Sequence, residues 1–292
     1  MSLFFSLNLK AVKEAAGEQK MSVEITQETK VSDLTGSGYT IISPEQKERQ
    51  KRYFERSNNS NERFVMVKEQ FSNVKDKLTL EQNGLLMFMV SFVKFNSDGA
   101  LFHNKKRIGV TELANLIGKS ERQTRQVVGE LEKYSLITRE KQGRKVVISL
   151  GETFFNCGYS EESFRFVRLY KTRLHEVAQK LTLSELGLLM LLTSHFHWKT
   201  HLLVDNPSEQ DSNKLLIWKR KHIADEFGVS IDFIKRAIPK LRNARAIYEV
   251  KSAKNGIVLD PSLICKDKVK PRIEEILDTI NECEFKKENI KK

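Results

Sequence analysis

The chain has 292 residues, of which 39% are hydrophobic, and this length is enough for two ordinary domains with buried cores. Its formal net charge of +12 favours a polyanionic partner, nucleic acid ahead of an anionic membrane surface, although a protein can also be basic for solubility alone. The longest apolar run, Gly84 to Val93, has about half the length that spans a bilayer, and the three cysteines are spaced for neither a disulfide framework nor a zinc site.

The first 60 residues are polar and show little periodicity. Their opening, "MSLFFSLNLK", has only a short apolar run and no basic lead-in, so we expect no signal peptide and a cytoplasmic protein. We interpret residues 1–60 as a polar N-terminal arm with one charged helix around Glu45 to Arg56.

The rest of the chain contains an internal repeat. "KLTLEQNGLLM" (Lys77 to Met87) and "KLTLSELGLLM" (Lys180 to Met190) are identical at eight of eleven positions. The blocks Thr111 to Ile137 and Lys221 to Ile247 also align, at an offset of 110 instead of 103, so seven residues are inserted in the second copy. The polar loop sequence Asp205 to Asn213 is the natural place for them. We infer a tandem duplication.

Each copy is predicted to hold a central buried helix, because the repeated segment is apolar almost all round. Thr79 and Thr182 are placed as N-caps, and Gln82 or Glu185 three residues later completes a capping box. The preceding segments, "RFVMVKEQFSNVKD" and "FRFVRLYKTRLHEVAQ", are expected to form a short strand or turn and an amphipathic helix. The segments that follow, "GALFHNKKRI" and "NKLLIWKR", are expected to form a short apolar strand.

The stretch from Thr111 to Tyr134 is predicted to form a helix, a tight turn and a second helix. Thr111 is placed to cap the first helix, and Gly118 lies where the chain turns sharply and a Cβ would be costly. Ser120 then caps the second helix, and Gln123 completes a capping box. The buried stripe of the second helix is expected to be Val127, Val128 and Leu131.

A β-hairpin is predicted after each helix pair. Leu136 to Leu150 alternates around Gly143, and Ile247 to Asp260 carries Asn255-Gly256, a strong short-hairpin signal. This order resembles the winged helix-turn-helix domain, present twice. The expected fold is therefore mainly α with small β-hairpin wings. The expected domains are an N-terminal arm at 1–60, winged helices at 61–157 and 158–268, and an amphipathic C-terminal helix or tail at 269–292.

This resemblance implies that both units bind double-stranded DNA. A helix end fits the major groove, where Arg and Gln present forked groups to guanine and adenine, while basic hairpin tips reach phosphates or the minor groove. In the second copy Pro239 is expected to kink the helix, and Phe233 stands where the first has Gln123. The copies should thus read different sequences, or one should read bases while the other mainly contacts the DNA backbone. The candidate DNA contacts are Ser120, Arg122, Gln123, Arg125 and Gln126 in the first recognition helix, Ser230, Asp232, Phe233, Lys235 and Arg236 in the second, and Arg139, Lys141, Arg144, Lys145, Lys251 and Lys254 in the wings.

Other chemistry is considered and set aside. His195, His197 and His201 have spacings seen in metal sites, but they end a core helix and are expected to lie on a solvent-exposed polar helix end. Gly118 to Ser120 reads "GKS" without the earlier glycine of a phosphate-binding loop. We expect core or hairpin packing for the two tryptophans. We predict no enzyme activity, no catalytic residues, no cofactor and no metal.

The tail "PRIEEILDTINECEF" has Ile273, Ile276, Leu277 and Ile280 on one helical stripe. Two alternatives stay open at this point. The stripe either packs back on the body of the chain or pairs with a second copy to form a homodimer. No membrane partner is expected.

"FVRLYKTRLHEVAQKLTLSELGLLMLL" followed by "IADEFGVSIDFIKRAIPKLRNARAI" resembles the DNA-binding region of RepL-type plasmid replication proteins and, more loosely, winged-helix repressors of bacterial phages. The resemblance implies a cytoplasmic, nucleoid- or plasmid-associated protein of a bacterial mobile element. A transcriptional regulator or repressor is preferred, because no segment is recognisable as replication machinery. A replication initiator at origin repeats is the first alternative, and a winged-helix protein–protein interaction module is the second.

Overall fold

The computed structural model describes residues 47, 51, 62–143, 145–158 and 165–291. The expected N-terminal arm, and the charged helix within it, therefore lie outside the described residues except for Lys47 and Lys51, which are both helical. Arg144 in the first hairpin also lies outside. None of the helices in the described ranges has the length and apolar character needed to cross a membrane.

The first copy contains a strand, a central helix, a small hairpin, two helices joined by a tight turn, and a second hairpin. Its elements are β1 (Phe64–Lys68), α1 (Ser72–Lys75), α2 (Leu80–Val90), β2 (Phe102–His103), β3 (Lys106–Arg107), α3 (Val110–Ile117), α4 (Glu121–Lys133), β4 (Ile137–Gln142), β5 (Lys145–Leu150) and β6 (Phe155–Asn156).

The second copy repeats this order, with a single bridge between Val204 and Ile217 in place of the small hairpin. The described chain is thus mainly helical with small antiparallel sheets. Its elements are β7 (Phe166–Tyr170), α5 (Lys171–Ala178), α6 (Leu183–Leu192), α7 (Arg220–Phe227), α8 (Ile231–Asn243), β8 (Ile247–Val250), β9 (Gly256–Leu259), β10 (Ile264–Cys265) and α9 (Ile273–Asn281).

Three of the predicted helix caps are confirmed. Thr79, Thr182 and Ser120 each accept a hydrogen bond from the backbone N–H three residues later, and each forms the predicted capping box. Gly118 has a left-handed φ of 65°, as the sharp turn requires, and Gly228 at the equivalent place has a φ of 60°.

The predicted cap at Thr111 is wrong. Helix α3 begins at Val110 and its N-cap is Gly109, two residues before the predicted cap. Gly109 pairs with Val147 in an isolated β-bridge, and a Cβ on Gly109 would lie 2.6 Å from the carbonyl oxygen of Val146. The chain therefore turns into the helix directly after Gly109 bridges to strand β5, and Thr111 falls in the first turn.

The Asn255-Gly256 turn is also placed differently from the prediction. Val250 pairs with Gly256, so five residues connect the strands and Gly256 begins β9. A Cβ on Gly256 would lie 2.7 Å from Leu202 Cδ2, which explains the glycine by close packing. The positive φ values fall on Lys254 and Asn255 instead. In the first copy, "GALFHNKKRI" forms the β2–β3 hairpin and not one strand.

A four-stranded antiparallel sheet joins the two copies, in the order β10-β7-β1-β6. The central pair is β1 and β7, with Met66 opposite Arg168 and Val67 opposite Val167. The outer strands β6 and β10 come from the ends of the first and second copies. Each copy therefore contributes one inner and one outer strand in a twofold-like arrangement.

The central helices α2 and α6 cross in close contact at two glycines. A Cβ on Gly84 would lie 1.8 Å from the carbonyl oxygen of Leu183, and one on Gly187 would lie 1.9 Å from that of Leu80. These contacts are reciprocal, so an approximate twofold axis relates the helices as it relates β1 and β7. The hydrophobic core is continuous through both copies. The expected boundary at 157/158 thus separates two sequence repeats that share one core.

The C-terminal helix α9 packs back on the second copy. Ile276 and Ile280 are buried in a small cluster with Leu202, Ile217 and Val258, and the other two residues of the predicted stripe pack against the same cluster. Of the two alternatives for this stripe, the structure therefore supports the first. The stripe that was considered for a homodimer is covered by the chain's own residues.

Candidate nucleic-acid interface

Helix α4, which was predicted to be the first recognition helix, presents its polar face to solvent. Thr124, Val128 and Leu131 face inward and are buried, which orients the opposite side outward. Thr124 also donates its hydroxyl hydrogen bond to the Ser120 carbonyl, which fixes the first turn. The exposed residues on the outward face are Arg122, Gln123, Arg125 and Gln126.

These polar side chains are not equally free. The Gln123 Oε1 atom accepts from the Ser120 hydroxyl at 2.9 Å, so Gln123 cannot offer its whole amide to a base while it completes the cap. Gln126 donates to Glu130 at 3.2 Å, and Arg125 pairs with Glu121 one turn earlier. Because the Arg125 side chain remains 63% exposed, this ion pair is easily exchanged for another anion.

A groove of about 930 Å³ separates α3 and α4 from the β4–β5 hairpin. Arg125, Arg139 and Lys145, which were predicted separately on the helix and the wing, line it together. The groove also contains Arg107 and His103 from the β2–β3 hairpin. These two residues were not predicted as part of the site, because their segment was expected to form a single strand. The dipeptide Asn104-Lys105, left-handed at both residues, was the available turn signal.

Arg139 lies at the base of the hairpin and not at its tip. It forms a two-donor contact with Glu132 at the end of α4, and the hydrogen bond from Arg139 lowers the pKa of Glu132. The equivalent positions in the second copy carry Arg242 and Glu249, which pair at 2.8 Å with the charges exchanged. This contact therefore ties each hairpin to its helix in both copies.

Helix α8, which was predicted to be the second recognition helix, has a different surface. Ser230 caps it by accepting from the Phe233 N–H at 3.1 Å, and Asp232, Lys235 and Arg236 are exposed. Phe233 itself is half-buried and packs against the core, so only part of its ring is available on the predicted DNA-facing surface. Ile231, which the sequence analysis did not select, is exposed instead.

The wing residues outside the hairpin bases are exposed. Lys141 and Lys145 lie on the first hairpin, and Lys251 and Lys254 lie on the five-residue connection of the second. The wing of each copy therefore presents two lysines in addition to its recognition helix.

Helices α4 and α8 each form a polar contact with the central helix of their own copy. Gln82 donates to Glu130 at 2.6 Å, and Lys240 pairs with Glu185 at 2.7 Å, at equivalent positions of the repeat. Burial raises the pKa of Glu185, but hydrogen bonds from Lys240 and Thr182 outweigh it, so the pKa lies below its ordinary value. Since α2 and α6 cross directly, α4 and α8 are linked through the core.

The histidine cluster differs from its prediction as a solvent-exposed helix end. His197 and His201 are fully buried, and His195 stacks on Trp218 with ring centroids 4.4 Å apart. His197 bonds to the Thr200 hydroxyl and the Glu209 carbonyl, which fill both ring nitrogens. Burial lowers the pKa of His195 to about 4 and that of His201 to about 3. Within the described ranges, no group of three or more His, Cys, Asp or Glu residues could hold a metal.

The described chain therefore contains two copies of a unit in which two helices joined by a tight turn are followed by a β-hairpin. The two copies share one core. No protein-family model, curated protein or solved structure matches the chain.

Proposed function

We propose that this protein binds a specific site in double-stranded DNA through two winged helix-turn-helix units and regulates transcription in a bacterial mobile element. The observation that carries the proposal is the groove in which Arg125 of α4 faces Lys145 of the adjacent hairpin. A helix end fits the major groove while a basic hairpin contacts the flanking backbone. The protein acts by binding, without a catalytic step.

The two units are expected to read different bases. In the first copy, Arg122 and Arg125 offer forked donors that suit guanine. In the second copy, exposed Ile231 suits the methyl group of thymine, and Lys235 and Arg236 suit phosphates. The preferred site is therefore asymmetric, although the scaffold that holds the two helices is close to twofold.

The shared core supports simultaneous binding of both units to one duplex. A twofold arrangement places α4 and α8 at the same height along the axis, and the proposal requires both helices to contact one duplex. Half-sites are then expected about 10 base pairs apart, or a multiple of this spacing. The net charge of +12 adds a sequence-independent attraction that salt weakens.

A replication initiator is the second candidate, because residues 166–192 and 223–247 resemble RepL-type replication proteins. It would use the same groove, but at repeated sites in an origin. Sequencing DNA fragments that the protein selects from a genomic library separates the two, since a regulator enriches a promoter and an initiator enriches origin repeats.

The base-reading role is tested with Arg125→Ala, which removes one forked donor from the groove. We expect a loss of about 1–3 kcal/mol at the selected site together with relaxed base choice there. Lys133→Ala is the matched control, because it removes the same charge from the far end of α4. Lys145→Ala should weaken all sequences about equally and flatten the salt dependence. Equal effects of Arg125→Ala and Lys145→Ala on every sequence would remove the base-reading assignment.

A further inference from the structure

A second cavity, of about 620 Å³, lies away from the α4–hairpin groove, at the junction of the two copies. One wall comes from β1 and the turn that follows it in the first copy. The other walls come from β7, Lys266 and residues 193–210 of the second copy. The volume falls within the range of about 300–1,000 Å³ that is usual for small-molecule sites.

The cavity is strongly cationic. Five basic side chains line it, Lys68, Lys75, Arg165, Arg168 and Lys266, against one carboxylate, Glu69. Cationic walls attract an anion, and this Coulomb attraction is stronger when water is partly excluded from the site. An anionic ligand is therefore the chemistry that this cavity favours.

The cations are held in place by the fold. The Arg168 guanidinium donates to the Lys266 carbonyl at 3.1 Å and lies 4.6 Å from the centroid of the Phe166 ring. The Lys266 ammonium donates to the Phe196 carbonyl at 2.6 Å. Lys75 is buried, with its ammonium 2.7 Å from the Asp76 carboxylate. Fixed donors of this kind lose little conformational entropy when a ligand binds.

Burial lowers the pKa of Lys266 to about 8. The charged ammonium group of Lys266 is thus poorly solvated. The nearby Glu69 carboxylate offsets part of the free-energy cost of burying this charge. A bound anion would add a charge interaction to the hydrogen bond that the ammonium already donates to the Phe196 carbonyl.

The cavity also has aromatic and apolar walls, which a purely inorganic anion would not use. Phe71, Phe166, Val67 and Trp198 line it together with the cations. An aromatic ring offers a flat apolar face on which a nucleobase stacks, and lysine and arginine bind phosphate. A ligand that combines a flat aromatic ring with phosphate groups matches both parts of the wall.

We propose that this junction cavity is a binding site for a nucleoside phosphate, with its phosphates on the lysine and arginine side chains and its base against Trp198 and Phe166. The site includes Pro207, Ser208 and Gln210 from the segment that is inserted in the second copy only. The first copy has no equivalent of this insertion, so this wall of the cavity occurs only once in the repeat. The proposal stands independently of DNA binding.

Binding is measured on the full chain without DNA, by titrating ATP, GTP, CTP, UTP and inorganic pyrophosphate while following tryptophan fluorescence and heat. We expect saturable binding of at least one nucleoside triphosphate. A fluorescence change from Trp198 should be lost in Trp198→Phe, because the other tryptophan, Trp218, is fully buried outside the cavity.

Arg165→Gln removes an exposed cavity cation, so folding should be unaffected, and we expect binding to weaken about tenfold or more. Lys266→Met is a second variant, checked for folding by circular dichroism. Lys199→Gln removes an exposed cation next to Trp198 that does not line the cavity and should bind normally. Lys145→Ala in the DNA groove should also bind normally.

Three results would overturn the assignment. The first is no saturable binding of any of the four nucleotides. The second is equal affinity for pyrophosphate, which would mean that the base is not recognised. The third is loss of binding in Lys145→Ala with retention in Arg165→Gln, which would place the nucleotide in the DNA groove.

Discussion

Gly84→Ala is the most informative single change in the scaffold, because it adds one carbon at the crossing of α2 and α6. An alanine in an open helical position is usually more stable than glycine by roughly 0.5–1 kcal/mol. At Gly84, however, the new carbon would lie 1.8 Å from the Leu183 carbonyl oxygen, which belongs to backbone and cannot rotate away. The two helices must separate, and overpacking of this kind costs typically about 1–3 kcal/mol, occasionally more.

We therefore expect Gly84→Ala to lose about 2 kcal/mol or more of unfolding free energy in urea, followed by circular dichroism. Gly129→Ala is the matched control, because Gly129 lies inside α4 and its added Cβ would have nothing within 4 Å apart from the adjacent backbone of its own helix. It should gain roughly 0.5–1 kcal/mol. If Gly84→Ala proved as stable as Gly129→Ala, the close crossing of the central helices would be refuted.

Two further predictions concern buried or paired charges. His201 has a pKa of about 3 in the folded protein and is therefore neutral, whereas an unfolded histidine titrates near 6.5. As the pH falls below about 6.5, the unfolded state binds a proton that the folded state does not bind. The folded protein should therefore lose stability, on the order of 2–3 kcal/mol by pH 4.5. His201→Asn, which tolerates the positive φ at this position, should lose less stability between pH 7 and pH 4.5, and an identical decline in urea unfolding would contradict this. Glu132→Arg or Arg139→Glu alone should cost about 0.2–1 kcal/mol, and the double variant, which copies the charge order of the second copy, should recover most of it. A double variant whose loss equals the sum of the single losses would show that the pair does not interact.

Local features of the fold could be predicted from the sequence. The caps at Thr79 and Ser120 could be predicted because a capping box involves only residues three positions apart. The turn at Gly118 could be predicted because it depends only on the φ angle of that residue. The apolar period of α4 correctly indicated that Val128 and Leu131 are buried, but Val127 is only half-buried and Thr124 is buried without having been predicted. The cap at Thr111 failed because a tertiary contact, between Gly109 and strand β5, decides where α3 begins.

The arrangement of the copies was not predicted, because strand pairing and helix crossing join residues about 100 positions apart. The sequence did contain one signal for it. Gly84 and Gly187 lie at the same position in two otherwise apolar helices, where a glycine is unfavourable unless another backbone approaches closely. The junction cavity needs both the shared sheet and the inserted loop, so neither repeat alone indicates it.

Hydroxyl-radical footprinting on a DNA site selected from a genomic library tests the proposed function most directly. If α4 and α8 bind one duplex from a shared scaffold, two protected segments should appear about 10 base pairs apart, or a multiple of that spacing. Arg125→Ala should weaken only one of them. A single short protected segment, or no protection at physiological salt, would contradict the account.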